Sequence, residues 1–140
     1  MAIKFSDINL EVIDLNTNAT PDIFVNVNGI TFSKRVLEDL GYSQHVQYCV
    51  DAAHKIFAIR ACKGNEQKAV AFSKPKADQP NALICSSRNL RGVVAALIPD
   101  VDEKKRYKVT GEYDSENRVM YFDMTTAKES AYRSSAQKEE

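Results

Sequence analysis

The sequence predicts a mainly β protein of the α+β class, with a single domain over residues 1–124. Short segments in which apolar and polar residues alternate recur along the chain, and this alternation is typical of half-buried strands. A strand, a short helix and a hairpin follow one another in residues 23–61, and the same order recurs in residues 81–123. The sequence therefore predicts two repeats of one unit, and then a polar, flexible tail over residues 125–140.

The first repeat is preceded by a predicted N-terminal strand and begins with a predicted hairpin. Apolar residues alternate with polar ones from Ile8 to Val12, which predicts a strand at the start of the chain. Asn28-Gly29 lies between two β-branched and aromatic runs. Asn-Gly is the strongest short hairpin signal because both residues accept a positive φ. We therefore expect a tight turn there.

A short helix is predicted directly after this hairpin. Ser33 stands at the N-cap position, where its hydroxyl is expected to accept a hydrogen bond from an amide of the first helical turn. Val36, Leu37 and Leu40 fall on one helical face. Gly41 is expected to end the helix in a left-handed conformation. The hairpin that completes this repeat is predicted from strands at 46–50 and 55–59.

The second repeat contains the same elements with little sequence identity to the first. Ser86 or Ser87 is the candidate N-cap of its helix, and four apolar residues form the stripe that we expect to be buried. The stripe consists of Leu90, Val93, Val94 and Leu97, the strands are predicted at 81–85, 107–112 and 118–122, and a further strand is predicted between the repeats at 69–72.

Composition and charge restrict the classes of function. Lysine plus arginine and aspartate plus glutamate number 19 each, so the net charge gives no reason to expect nucleic-acid or membrane binding. The cysteines, Cys49, Cys62 and Cys85, are odd in number and lie in apolar segments, which predicts buried free thiols in a reducing compartment. The chain shows no signal-peptide pattern and no apolar run of about 18 residues. We therefore expect a cytoplasmic protein without membrane contact.

The segment 23–61 resembles the swapped-hairpin unit of AbrB/MraZ-type transcription regulators. In that family, a strand pair leads into an Ile-Pro-x-x-x-Arg-x-x-Leu-Gly helix start, and a two-stranded hairpin follows. Residues 30–33, Leu37, 40–41 and the hairpin at 46–60 fall in that register. The resemblance implies a small swapped-hairpin β-barrel, an oligomer, and a divergent second copy in the second half of the chain, over residues 82–123.

The resemblance also implies DNA binding by cations at the strand-to-helix edge. The matching positions are Lys34 and Arg35 in the first copy, and Arg88 and Arg91 in the second. Phosphate contacts supply much of the affinity for DNA and each needs a cation. A solvated helix face is the alternative interpretation of Lys34 and Arg35.

A second basic cluster precedes the last hairpin. It consists of Lys104, Lys105, Arg106 and Lys108, and alternation predicts the last two on one face of a strand. The cluster is the candidate patch for an anionic partner, either nucleic acid or an acidic protein surface. Nearby carboxylates make a mixed-charge solvent loop the alternative.

Patterns for catalysis and metal binding are weak. Cys85 and Arg91 have the C-x5-R spacing of cysteine phosphatases, but the loop between them has no glycine with which to wrap a phosphate. The spacing of the histidines and cysteines in His45 to Cys62 matches no common zinc site. We therefore expect no catalytic residue, no metal and no cofactor, and the chain is not expected to be an enzyme.

Two hypotheses of function follow. The first is a DNA-binding transcriptional regulator of AbrB/MraZ-like type that acts as a homo-oligomer on duplex DNA. The second is a non-catalytic protein-binding module that has kept the scaffold and lost the DNA-binding edge. Its size and charge balance would suit a phage or mobile-element protein that inhibits a host defence protein.

Overall fold

The computed structural model describes residues 20–130, so the predicted N-terminal strand and residues 131–140 lie outside the described part. Within it, nine antiparallel strands form one curled, half-barrel sheet, and two short α-helices accompany them. This confirms the mainly β class. The strands are β1 (Asp22–Val25), β2 (Ile30–Phe32), β3 (His45–Asp51), β4 (Ile56–Cys62), β5 (Val70–Ala71), β6 (Leu83–Cys85), β7 (Tyr107–Asp114), β8 (Val119–Asp123) and β9 (Lys128–Glu129), and the helices are α1 (Lys34–Asp39) and α2 (Arg88–Ala95).

The predicted repeat of element order is present. The order β2-α1-β3-β4 of the first half recurs as β6-α2-β7-β8 in the second. Lys55 and Arg118 have positive φ values of 59° and 56° and immediately precede β4 and β8, so the two hairpins also turn alike. A 3-10 turn, Met124–Thr126, leads into the segment predicted as a flexible tail, and this segment contributes the short strand β9, which pairs with β7.

Strands of one repeat pair with strands of the other. The sheet order is β5-β3-β4-β8-β7-β1-β2-β6, with β9 on the side of β7. The corresponding strands β4 and β8 pair antiparallel, and so do β2 and β6. The pairing of β1 with β7 corresponds to that of β5 with β3. If each strand from β5 to β1 is replaced by its counterpart in the other repeat, the same order of six strands is obtained, read in the opposite direction.

This correspondence is interrupted between β5 and β6. β1 and β2 form a hairpin, whereas β5 and β6 are separated by residues 72–82 and do not pair within the described residues. A pairing between them would close the eight-strand path into a barrel. The sheet stays open there, and β6 pairs only with β2 among the described strands.

The concave side of the sheet carries the hydrophobic core. Its centre is a series of aromatic rings from β2, β3, β4 and β8, in which consecutive centroids lie 6.2, 5.9 and 5.9 Å apart. The series runs from Phe32 through Tyr48 and Phe57 to Phe122, and each ring is stacked on the next. The ring of Phe72 packs edge-on against that of Phe32, with 5.2 Å between the ring centroids. Side chains therefore pack across the gap between β5 and β6, where the strands do not pair. Burial raises the pKa of Tyr48.

The end of α1 confirms the predicted stop. Gly41 has a φ of +70°, and its amide donates to the carbonyl of Glu38 at 2.9 Å. The amide of Tyr42 donates to the carbonyl of Leu37 at 2.8 Å. These two bonds define a Schellman motif, which satisfies carbonyls that the helix leaves unpaired.

The two helix starts differ from each other. Ser87 caps α2, because its hydroxyl accepts from the amide of Leu90 at 3.1 Å. Ser33 occupies the N-cap of α1 without a side-chain cap, so the predicted bond is wrong. Its hydroxyl instead accepts from the amide of Asp22 at 3.0 Å, which ties the helix start to the beginning of β1. In α2, the predicted apolar stripe is correct for Val94 and wrong for Val93, which is half exposed.

The predicted hairpin around Asn28-Gly29 is confirmed by the pairing of β1 with β2, but the expected positive φ values at the turn are wrong. Residues 26–29 form a four-residue loop closed by a 2.8 Å bond from the amide of Asn26 to the carbonyl of Gly29, and neither Asn28 nor Gly29 has a positive φ. Gly29 serves a different purpose. A Cβ there would lie 2.3 Å from the carbonyl oxygen of Cys85, so glycine is needed for the close approach of the second repeat.

Candidate interaction face

One continuous row of side chains crosses the convex side of the sheet, from β9 through β7, β1 and β2 to β6. Strand register aligns Lys128 of β9 with Lys108 of β7, and Lys108 with Phe24 of β1. It then aligns Phe24 with Thr31 of β2, and Thr31 with Ile84 of β6. The strand neighbours of these residues, such as Ile23 and Val109, are buried in the core, so the row faces outward. We call Lys128, Lys108, Phe24, Thr31 and Ile84 the outer row.

One end of the outer row is apolar and exposed. Ile84 leaves 71% of its surface accessible, the largest fraction among the exposed large apolar residues of the described part. The adjacent residues of β6, Leu83 and Cys85, pack against the core. Since β6 also has an unpaired edge among the described strands, an apolar side chain and free backbone groups lie together here.

The centre of the outer row is held by a polar network. The Arg106 guanidinium lies over the Phe24 ring, 4.1 Å from its centroid, in a cation–π contact. Its Nε donates to Oδ1 of Asn26 at 2.8 Å, and Nδ2 of Asn26 donates to Oγ1 of Thr31 at 2.9 Å. These contacts fix Phe24 and Thr31 in place, so the centre of the row is a preformed surface.

The other end of the outer row borders a hollow of about 220 Å³. Lys108, Thr110, Thr126 and Lys128 line it, and we call it the lysine hollow. Nζ of Lys108 lies 3.8 Å from Oδ2 of Asp22. The Thr110 hydroxyl also bonds Asp22, and the Thr126 hydroxyl donates to the carbonyl of Asp123 at 2.7 Å.

The four cations predicted to bind DNA do not form one cluster. Lys34 is exposed, and Nε of Arg35 lies 2.9 Å from Oδ1 of Asp39. Arg88 is exposed at the first residue of α2. The register of β2 with β6 runs antiparallel, so α1 and α2 begin at opposite ends of that strand pair.

Arg91 is buried and fully engaged within the protein. Its side chain is 11% exposed, and its Nε donates to the carbonyl of Asn26 at 3.0 Å. Its remaining nitrogens donate to the carboxylate and to the carbonyl of Glu103. The guanidinium therefore joins α2 to the β1–β2 loop and to the loop before β7.

The second basic cluster is divided among several partners. Lys104 is exposed, and Nζ of Lys105 lies 3.0 Å from Oε2 of Glu129, whose carboxylate raises the pKa of that lysine. Arg106 and Lys108 lie on the convex face as alternation predicts. Lys108 alone of the cluster belongs to the lysine hollow.

The cysteines differ from the prediction of buried thiols. All three are free, Cys49 is exposed, and Cys62 and Cys85 are partly exposed. Cys49 lies on the convex face of β3 beside a shallow depression of about 310 Å³ that Gln47, Gln67 and Lys68 also line. Among residues 20–130, no group of three potential ligands is placed to hold a metal ion.

Of the residues of the outer row and the lysine hollow, Lys108 alone was a predicted site residue. Lys128 and Thr126 lie in the segment predicted as a tail, where the sequence shows no strand pattern. Ile84 lies in the apolar run 82–85, and such a run predicts burial on both faces of a strand rather than an exposed side chain. Lys128, Thr126 and Ile84 come onto one face only through the pairing of strands that are distant in the sequence, and local sequence patterns do not predict such pairing.

Comparison with known proteins gives no relative. No protein-family model matches the chain, and no curated protein or solved structure is similar enough to count as a match. No helix within residues 20–130 is long and apolar enough to cross a membrane.

Proposed function

We propose that this protein is a non-catalytic protein-binding module and that the outer row is its contact surface. The exposure of Ile84 carries the proposal. Complete burial of an exposed isoleucine side chain contributes about 1.5–3 kcal/mol, and 71% of the surface of Ile84 is left to be covered. An apolar anchor beside a polar rim is the usual composition of a binding surface.

The edge of β6 supports the same proposal. A strand with unpaired amides and carbonyls can accept a strand from another chain, which then gains main-chain hydrogen bonds. Natural proteins commonly protect such edges with charges. β6 itself, Leu-Ile-Cys, carries no charged residue.

The ion pairs favour a protein partner over DNA. Phosphate contacts need cations that are not already neutralised, and salt weakens binding in proportion to their number. Arg91 is bound to Glu103, Arg35 to Asp39 and Lys105 to Glu129. Two of the four cations predicted to contact DNA are therefore already paired with a carboxylate.

Replacement of Ile84 tests the proposal. The immobilised protein is incubated with a nuclease-treated lysate of the cells that produce it, and the bound proteins are quantified for the wild type, Ile84→Glu and Val93→Glu. Val93 is the matched control because it is a half-exposed apolar residue on α2, away from the outer row. We expect one or more proteins to be retained by the wild type and by Val93→Glu, and to be reduced at least tenfold by Ile84→Glu. Equal retention by all three would refute the proposal.

DNA binding by an oligomeric AbrB/MraZ-like regulator is the second candidate. The exposure of Lys34 and Arg88 in the first turns of the two helices favours it. The repeated element order and the pairing between repeats support the proposed swapped-hairpin relationship.

A salt titration separates this candidate from the first. A regulator should bind random duplex DNA at low salt, and log K should fall steeply with log salt. The slope should flatten when Lys34 and Arg88 are replaced by alanine. No binding at low salt would exclude DNA, and sedimentation of the same samples would give the oligomeric state.

A further inference from the structure

We propose that the lysine hollow binds carboxylates of an acidic segment of a protein partner. This inference rests on the proposed function, because it assigns the chemistry of the partner at the cationic end of the outer row. The partner would then place an apolar side chain at Ile84 and acidic side chains at Lys108 and Lys128.

The pairing of two lysines is the first reason. Lys108 and Lys128 are direct cross-strand partners in the β7–β9 pair. Like charges in this position are destabilising, whereas opposite charges contribute favourably. A carboxylate placed between the two ammonium groups would convert the repulsion into two ion pairs.

The available donors are the second reason. The Thr126 hydroxyl donates to a backbone carbonyl, and the Thr110 hydroxyl bonds the Asp22 carboxylate. The two ammonium groups are therefore the donors that remain, and each carries three N–H bonds. Asp22 supplies one negative charge at 3.8 Å from Lys108, and among the described residues no carboxylate forms an ion pair with Lys128.

The rest of the outer row favours an acidic protein segment over nucleic acid. From Lys108 the row continues to Phe24, Thr31 and Ile84, and Arg106 beside it is already bound to Phe24 and Asn26. A nucleic-acid backbone would need further cations along this path. Adjacent strands lie about 4.8 Å apart, so three steps separate Lys108 from Ile84 by about 14 Å. We therefore expect acidic and apolar side chains of the partner to be separated by about this distance.

Titration of the full-length protein with hexaglutamate tests the inference by nuclear magnetic resonance. The ¹⁵N-labelled chain is titrated at low salt with hexaglutamate, with inorganic phosphate and with a random duplex DNA. We expect hexaglutamate to shift the amides of Lys108, Thr110, Thr126 and Lys128. The double variant Lys108→Ala, Lys128→Ala should weaken this binding at least tenfold, and Lys74→Ala, which removes an exposed lysine elsewhere, should not change it.

A thermal measurement distinguishes binding from a structural role. Because like charges directly opposite one another in a strand pair are destabilising, Lys128→Ala should raise the melting temperature at low salt, and this effect should be lost at high salt. If Lys128 stabilised the fold instead, Lys128→Ala would lower the melting temperature at low salt. A lower melting temperature of Lys128→Ala at low salt would therefore overturn the inference.

The remaining outcomes are also decisive. No amide shift in the hollow with hexaglutamate would overturn the inference, and so would equal affinity for inorganic phosphate. Tighter binding of DNA that depends on both lysines would assign the hollow to nucleic acid instead. Ile84→Glu should not change hexaglutamate binding, so failure here is distinguishable from failure of the protein-binding proposal, which the retention assay measures.

Discussion

At the residue scale, Gly29 and Gly92 differ in whether the surrounding structure leaves room for a Cβ atom. A Cβ at Gly29 would meet the Cys85 carbonyl at 2.3 Å, whereas a Cβ at Gly92 would meet no atom within 4 Å. Gly29→Ala should therefore push β6 away from the β1–β2 loop and lower the free energy of unfolding by about 1–3 kcal/mol. Gly92→Ala in α2 should raise it by about 0.5–1 kcal/mol, because alanine restricts the unfolded chain and favours helix. Urea denaturation measures both, and similar effects of the two changes would contradict the assigned contacts.

The turn between β7 and β8 carries a pH-dependent interaction. The Asp114 carboxylate accepts from the side chain of Asn117 at 2.8 Å and from the amides of Asn117 and Glu116, and these bonds lower its pKa below the ordinary 3.8. A carboxyl whose pKa falls on folding stabilises the native state above the unfolded pKa, and this contribution is lost as the pH falls through the folded pKa.

Asn117→Ala tests this assignment. We expect the pKa of Asp114 to rise towards 3.8, since the substitution removes the side-chain hydrogen bond from Asn117, which lowers this pKa the most. The carboxyl ¹³C shift, followed from pH 7 to pH 2, reports the titration. An unchanged midpoint would show that Asn117 does not stabilise the carboxylate.

At the scale of secondary-structure elements, Arg91 joins three parts of the chain. It bonds the carbonyl of Asn26 and both the carboxylate and the carbonyl of Glu103. Hydrogen bonds to a charged group contribute about 1.5–3 kcal/mol each, so Arg91→Ala should lower the free energy of unfolding by about 2 kcal/mol or more. Arg91→Lys should restore little of the lost free energy of unfolding, because a lysine ammonium cannot replace the planar set of guanidinium N–H donors.

Arg88→Ala is the matched control for this experiment. Arg88 lies in the first turn of the same helix and is exposed, so its removal should change the free energy of unfolding by less than about 0.5 kcal/mol. Chemical denaturation of the three variants measures the difference. Equal effects of Arg88→Ala and Arg91→Ala would refute a structural role specific to Arg91.

At the scale of the whole molecule, each half of the chain depends on the other. Strands β1, β2, β3 and β4 of the first half each pair with a strand of the second half. An isolated first half would expose those edges and the aromatic series around Phe57. We expect neither half, separated within the exposed loop 63–68, to fold alone, and we expect the two together to restore the native spectrum.

Two-dimensional amide spectra of the separate and mixed fragments measure this dependence. The intact chain is the control. A dispersed spectrum from residues 1–66 alone would show that a repeat is an independent folding unit and would contradict the interdependence.

The local elements were predictable because their signals are local. Period-two alternation predicted the strands that became β3, β4, β7 and β8 within about three residues of their ends, and a glycine predicted the stop of α1. The candidate site was less predictable. Arg91 resembles any helical arginine in sequence, and only the position of Glu103 and Asn26 shows that it is buried.

The sequence by itself determined the β-rich class, the repeated order of elements and the balanced charge, since these follow from side-chain periodicity and composition. Tertiary structure alone decided that strands pair between the repeats, that the path of strands within residues 20–130 stays open at β6, and that Ile84 faces outward. It also placed Lys108 opposite Lys128 and beside Asp22, which lies 86 residues earlier in the chain. The physical reason is that alternation specifies which residues share a face of a strand, while the identity of the neighbouring strand depends on contacts between distant segments.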